Sequence, residues 1–431
     1  MGFFLVCLYV AVLLLRPQEW YEPVKGYELV NIIAIPTILI AFIEQSKSKT
    51  GSFFLRNRFS QAMLGLFASV MLSQLVRLRI SGAIDAVREF GKIVILFYLV
   101  AILANTLRRL RIMMWVIIVS SMILAYHTYL QVQTGHGFGN IEPYGSYDTG
   151  DFRVIGSGIF ADPNDFAMLY LMAMPFAVCL LTAGESIAGK LLLLCSLPPM
   201  VYVLYFTQSR GGIIGFCAMI IAYFWTTTKN LLIRLFLLVA LLSVIAVFGP
   251  ERARGTYVEG SASGRVMQWG YGIQMLKENP LFGFGYQRWP DYSGGMAAHN
   301  SLVNCFGELG LVGYICWFTL CLLIVKSVLR IARAEGQIDF KTRRVANGLF
   351  AAQVGYLTAA FFLTRTYNPV LFFLLGMGFG LIRWVEIQQP AAAPLVQISM
   401  RDMRQSAIYA LASIPLIWLI IRAYWAVSGS G

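Results

Sequence analysis

His299 stands where a polar stretch, 249–299, meets a long apolar run that begins at Asn300. A histidine at such a boundary, with an ordinary pKa of about 6.5, can take a proton from a hydroxyl during reaction. Neighbouring arginines would lower that pKa and hold the ring neutral, the form a base requires. The competing reading is a helix-start histidine bonded to backbone. His127 lies within an apolar run and reads as a satisfied or interfacial polar group, while His136 sits in a Gly-rich stretch with no partner pattern. The stretch before His299 carries Arg252, Arg254, Arg265 and Arg288, with Lys277 its lysine; Arg153, Arg210 and Arg365 occupy other polar segments. Arginine presents a planar fork of donors that suits phosphate oxygens and stays charged at any relevant pH, so the set suggests an anionic, phosphate-bearing ligand. Taken singly, each arginine could instead pair with a carboxylate or a lipid headgroup.

Two short motifs accompany these residues. In Thr207-Gln208-Ser209-Arg210-Gly211-Gly212 an anion near Arg210 would meet the positive end of the following helix, and the glycines would let backbone donors approach it. In Gly156–Asp165, Asp162 or Asn164 can cap a helix that has Pro163 in its first turn. Capping accounts for these residues without making Asp162 and Asp165 a metal-binding carboxylate pair. The cysteines (Cys7, Cys179, Cys195, Cys217, Cys305, Cys316 and Cys321) all fall in apolar runs, with no CxxC or His/Cys cluster. Neither a disulfide framework nor a metal site is expected, and nothing calls for a cofactor.

The elements that must position these residues are membrane helices. Of the 431 residues 58% are hydrophobic and 13% charged, which excludes an ordinary cytosolic enzyme. The excess of 34 Lys and Arg over 21 Asp and Glu would suggest nucleic-acid binding in a soluble protein; in a membrane protein it orients the chain. Apolar segments at 2–15, 29–44, 61–76, 92–107, 112–130, 165–182, 190–206, 211–227, 231–248, 300–325, 346–364, 370–386 and 407–427 predict spans. They are apolar all round, unlike the alternation of a β-barrel. No Ala-x-Ala site follows the first, so it reads as a retained span. The expected fold is an all-α polytopic membrane protein forming a single integral membrane domain over 1–431.

The basic groups Lys47/Lys49/Arg56/Arg58, Arg108/Arg109/Arg111 and Lys326–Arg344 share one side if the spans alternate, which makes that side cytoplasmic together with the N-terminus. The long polar loops 131–164 and 249–299 are then periplasmic. The stretch 77–91 reads as an external loop, an amphipathic interfacial segment despite its basic residues.

The order Asp162-Pro163-Asn164, Ser209-Arg210-Gly211-Gly212, Gly264-Arg265, Gly283-Phe284-Gly285, His299-Asn300 and Glu308-Leu309-Gly310 resembles the O-antigen ligase and polymerase superfamily of bacterial envelope glycosyltransferases over roughly 155–325. The resemblance implies a GT-C-like lipid-sugar glycosyltransferase fold with about twelve spans and a large periplasmic loop over the site; 407–427 would be a thirteenth. It implies an inner-membrane enzyme that takes a glycan from undecaprenyl pyrophosphate and passes it, without metal, to a hydroxyl of a lipid A–core sugar. Carried over by position, Arg210 and Arg265 would bind the pyrophosphate, Arg288 and Arg153 would be further contacts, and His299 would activate the acceptor. Asn300, Glu308, Asp162 and Asn164 would support the site. Direct displacement would invert the anomeric carbon; Glu308, well inside span ten, suits holding helices together more than attack.

The same chemistry would serve a polymerase joining lipid-linked repeat units, or an oligosaccharyltransferase acting on protein hydroxyls. A transporter would instead place ionisable residues mid-span and repeat one half in the other, a pattern this sequence lacks.

Overall fold

The computed structural model describes residues 1–46, 57–248 and 259–428. Lys47, Lys49 and Arg56 of one basic loop, and Arg252 and Arg254 of the stretch before His299, lie outside the described residues.

The chain is mostly helical. In order come α1 (Gly2–Leu15), α2 (Leu29–Ser46), α3 (Arg58–Leu75), α4 (Ile80–Leu103), α5 (Leu107–Thr134), α6 (Pro163–Thr182), α7 (Ile187–Phe206), α8 (Arg210–Thr227), α9 (Leu231–Phe248), α10 (Glu259–Glu278), α11 (Ser301–Arg333), α12 (Phe340–Ala360), α13 (Pro369–Gln388) and α14 (Met400–Ser428). Every apolar segment of the sequence falls on one of these. Among the described residues, eight helices are long and apolar enough to cross a membrane on their own. Large apolar side chains such as Phe42, Leu232 and Phe236 stand more than 70% exposed on the outer surface, as hydrocarbon solvent permits and water does not. The protein is a polytopic membrane protein.

Polar caps start the helices where apolar runs begin: Asn57, Thr106, Asp162, Ser186, Ser209, Asn300, Asp339 and Asn368 each accept a backbone N–H of the first turn. The centre of the bundle is α12 packed between α6 and α8, with α11 against α3 and α12. Small residues bring these helices close. A Cβ on Gly215 of α8 would lie 2.8 Å from the Gly355 carbonyl oxygen of α12, so glycine is what permits that approach.

Two stretches differ from their reading as loops. Residues 80–91 are the first turns of α4, continuous with the apolar part, and bury Ala83, Ala86 and Phe90 along one stripe. Within 249–299, α10 forms because Val266, Trp269 and Ile273, spaced for one helical face, are buried on the side packed against α11. Its polar remainder hides that stripe from an average over hydropathy.

Candidate active site

The site is assembled where α11 begins. Asn300 caps the helix, its Oδ1 accepting from Leu302 N (2.9 Å) and Val303 N (3.1 Å). The next residue, Ser301, donates its hydroxyl to Leu363 O (2.7 Å) and accepts from Arg365 N (2.9 Å), while Thr366 Oγ1 donates to Ser301 O (2.8 Å). The link between α12 and α13 is thereby clasped to the start of α11. His299, just before the cap, has left-handed backbone (φ 49°) and donates its N–H to Thr364 Oγ1 at 2.8 Å. That conformation is uncommon for a residue with a side chain and is retained because the clasp over-determines it.

The electrostatic surroundings of His299 come from three other segments. Burial, first, and then Arg265 push its imidazole below the ordinary value; Arg365 adds to the depression and Asp162 opposes it. Arg265, on α10, is itself lowered by burial and by Arg210, the first residue of α8. Arg265 therefore stands within electrostatic range of both Arg210 on α8 and His299. Arg365 forks onto both carboxylate oxygens of Asp165, at the start of α6, and donates to Thr364 O at 2.7 Å. With Asp165 7% exposed, this is a largely buried ion pair joining residues 200 positions apart.

The start of α8 is held by a polar network. Asp162 caps α6 through Asn164 N (2.7 Å). Asn164 Oδ1 accepts from Ser209 Oγ (2.8 Å) and from Arg153 Nη2 (3.1 Å), and Arg153 Nε donates to Thr207 O (2.8 Å). Ser209 Oγ in turn accepts from Gly212 N (3.0 Å). Arg153 leads into this network from a two-stranded hairpin, Tyr144–Ser146 with Asp151–Arg153. The close approach at Gly212 is to Ala167 of α6, whose Cβ would lie 2.7 Å from an added methyl. Helix packing therefore accounts for that glycine, where the sequence suggested a backbone cradle.

Glu308 belongs to a different device. Gly310 (φ 64°, ψ −165°) breaks α11, and residues 280–285 repair the break by exchange. Phe284 N and Gly285 N donate to Gly307 O and Glu308 O (both 2.9 Å), while Leu311 N and Val312 N donate to Pro280 O (2.8 Å) and Leu281 O (3.2 Å). The Gly283-Phe284-Gly285 and Glu308-Leu309-Gly310 motifs are the two halves of this joint. Glu308 Oε1 accepts from Trp289 N (2.9 Å), and although Tyr367 and Asn304 stand near enough to influence the carboxylate, Oε2 completes no hydrogen bond.

A cavity of about 520 Å³ lies between this joint and the clasp, with Trp289, Asn304, Glu308, Asp165 and the 364–368 segment in its wall. Ala297, two residues before His299, and Thr364 also line it. Trp289 (2% exposed), Glu308 (1%) and Asn304 (3%) are almost wholly buried in its wall. Arg288 sits elsewhere. It pairs with Asp291 (3.2 Å) and flanks Gly285 together with Arg79, whose Nη1 donates to Phe284 O at 3.3 Å.

Arg265 is within electrostatic range of His299 and of Arg210, and Asp162 of His299; Asn164 and Arg153 support the start of α8, and Arg288 lies by the joint. Sequence reasoning had Arg365 only as one more arginine and Asp165 only as a discarded metal ligand; nothing in their spacing reveals that they pair. His127, by contrast, is fully engaged, with Nε2 on Ile155 O (3.0 Å) and Nδ1 accepting from Phe138 N (2.9 Å). Among the described residues no group of three His, Cys, Asp or Glu gathers as metal ligands would.

Residues 193–318 match a family model described as O-antigen ligase. The match runs from α7 into α11 and takes in Arg210, Arg265, Arg288, His299, Asn300 and Glu308; Arg153, Asp162, Asp165 and Arg365 fall outside it. No curated protein matches the chain.

Proposed function

We propose that this membrane protein, whose residues 193–318 match the O-antigen ligase family model, is a member of that family and transfers a glycan from undecaprenyl pyrophosphate to a sugar hydroxyl of a lipid A–core acceptor at the periplasmic face of the bacterial inner membrane. The observation that carries the reading is Arg265, which lies within electrostatic range both of Arg210, on a separate helix, and of His299, whose basicity it lowers. The bond that breaks joins the anomeric carbon to a pyrophosphate oxygen, and the departing group takes both electrons. Two guanidinium groups neutralise that growing charge, which is what a metal ion would otherwise supply. The bond that forms joins the acceptor oxygen to the same carbon, and the hydroxyl proton passes to His299, neutral at neutral pH. Attack opposite the leaving group inverts the anomeric centre.

In this reading Arg153 acts through Asn164 and Thr207, holding the Ser209–Arg210 helix start. Arg288 is an outer contact, and the cavity by Trp289 and Glu308 receives a sugar ring. The surrounding helices would form a GT-C-like fold of about twelve spans, with α14 beyond them.

The test is reconstitution of the full chain with a defined polyprenyl-pyrophosphate-linked donor and competing acceptors, in the presence of a chelator. Single addition to the core acceptor is expected, and His299→Ala should abolish transfer while retaining donor binding. Normal transfer by His299→Ala would remove the base. A product ladder would make the enzyme a polymerase, and activity that returns only with added magnesium or manganese would overturn the metal-free chemistry.

A further inference from the structure

The helices that carry the site meet again at their other ends, around a second cavity that the proposed chemistry does not use. α8 runs from Arg210 to Thr227, α11 from Ser301 to Arg333, and α12 returns from Phe340 to Ala360. The 18 residues of α8 extend roughly 27 Å at about 1.5 Å each, close to the ~30 Å of a bilayer's hydrocarbon. The ends near 227, 333 and 340 are thus at the membrane face opposite His299. There a cavity of about 610 Å³ is lined by Lys229, Arg234, Arg333, Arg343 and Arg344, with Glu335 the carboxylate in its wall.

These cations differ from ordinary basic loop residues in three respects. They come from separate segments, the α8–α9 link, α9, the end of α11 and the start of α12, yet line one open cavity. Lys229 holds Glu335 at 2.9 Å, so the other four guanidinium groups exceed the carboxylate charge in the wall. One of them is also incompletely served: Arg343 Nε is buried without a hydrogen-bond partner, and so is Oδ1 of the neighbouring lining residue Asn347, only 4% exposed. Buried polar atoms left in that state are costly, and an anion with a hydroxyl-bearing headgroup would relieve it.

The mouth of the cavity identifies the kind of anion. Trp225, an amphipathic ring of the kind found at headgroup level, is covered by the guanidinium groups of Arg234 (4.3 Å from the ring centroid) and Arg333 (5.5 Å). Directly beyond Lys229, α9 exposes Leu231 (60%), Leu232 (75%), Leu235 (48%) and Phe236 (71%). A free inorganic anion would have no use for that apolar wall; acyl chains would.

We propose that this cavity binds the headgroup of an anionic phospholipid, its phosphate among Arg333, Arg343 and Arg344 and its acyl chains along α9. The inference rests on the membrane-protein architecture alone and is independent of the glycosyl-transfer chemistry.

The experiment uses the purified full chain, stripped of lipid in detergent and titrated with cardiolipin, phosphatidylcholine or inorganic phosphate, with retention read by native mass spectrometry. Cardiolipin should be retained in preference to phosphatidylcholine. In Arg333→Gln/Arg343→Gln its affinity should fall roughly twenty-five-fold, a factor of about five for each basic side chain. Where the double variant does not fold, the two single variants are each expected to lose about five-fold. Equal retention of both lipids by the parent chain overturns the proposal, and unchanged cardiolipin affinity in the variants overturns its location. Displacement of cardiolipin by millimolar inorganic phosphate would make this a free-anion site and overturn the lipid assignment.

Discussion

Gly283→Ala probes the joint between the 280–285 segment and the broken helix α11. Gly283 has φ 70°, and a Cβ there would overlap the carbonyl of Glu308. Two costs add. Left-handed backbone costs a residue with a side chain about 1–2 kcal/mol. Relieving the overlap must push the segment away from α11, loosening at least the bonds from Phe284 N and Gly285 N, at about 1 kcal/mol or more for each buried group left unsatisfied. The sum is about 3–5 kcal/mol, at the upper end of what single substitutions do. Gly294→Ala supplies the control. Gly294 also has left-handed backbone (φ 71°), but nothing lies within 4 Å of an added Cβ, so only the conformational cost of about 1–2 kcal/mol applies. Thermal unfolding of the purified variants in detergent should show Gly283→Ala melting well below Gly294→Ala. Transfer should drop with it, because Glu308 holds Trp289 in the cavity wall. Equal melting temperatures would refute the view that the joint is closely fitted and energetically important.

Other expectations concern the charged groups. Because burial and Arg265 hold His299 below its ordinary 6.5, transfer should be level around neutral pH and fall only on acidification through that lowered value, where the ring gains a proton and ceases to be a base. Arg265→Gln removes a positive neighbour, so the acid limb should move upward while burial keeps it below 6.5. A limb that stays in place would uncouple the two residues. Asp165→Asn leaves the Arg365 charge without its counterion and should destabilise by about 3–5 kcal/mol. Asp165→Asn/Arg365→Gln, which removes both charges, should recover part of that loss in the same melting assay, and no recovery would mean that the pair is not coupled as its geometry indicates.

The sequence displays the helices well because its apolar runs are long and polar residues cap them. Segments whose burial is confined to a stripe are harder to see. α10 hides Val266, Trp269 and Ile273 among polar residues, and the start of α4 hides its stripe among charges. The proximity of Arg265 to both Arg210 and His299 is suggested by motif order along 155–325, but the residues that fix its geometry are not. Asp165 finds Arg365 across 200 positions, and Thr364 holds His299 through a backbone N–H that no side-chain pattern can reveal. The role of Gly283-Phe284-Gly285 is equally hidden, since it consists of main-chain bonds to a helix that looks continuous in sequence.

That joint also bears on how the protein enters a membrane. A helix broken at Gly310 carries carbonyls at Gly307 and Glu308, and amides at Leu311 and Val312, that its own backbone does not satisfy. In hydrocarbon each such group costs several kcal/mol. The outer third of α11 therefore cannot partition into lipid as a lone span. Its partners lie only some twenty-five residues earlier in the chain, so ring closure is local and inexpensive in entropy. Residues 280–312 thus make up one unit of biogenesis, whose main chain is complete only once both strands of the joint have emerged from the ribosome.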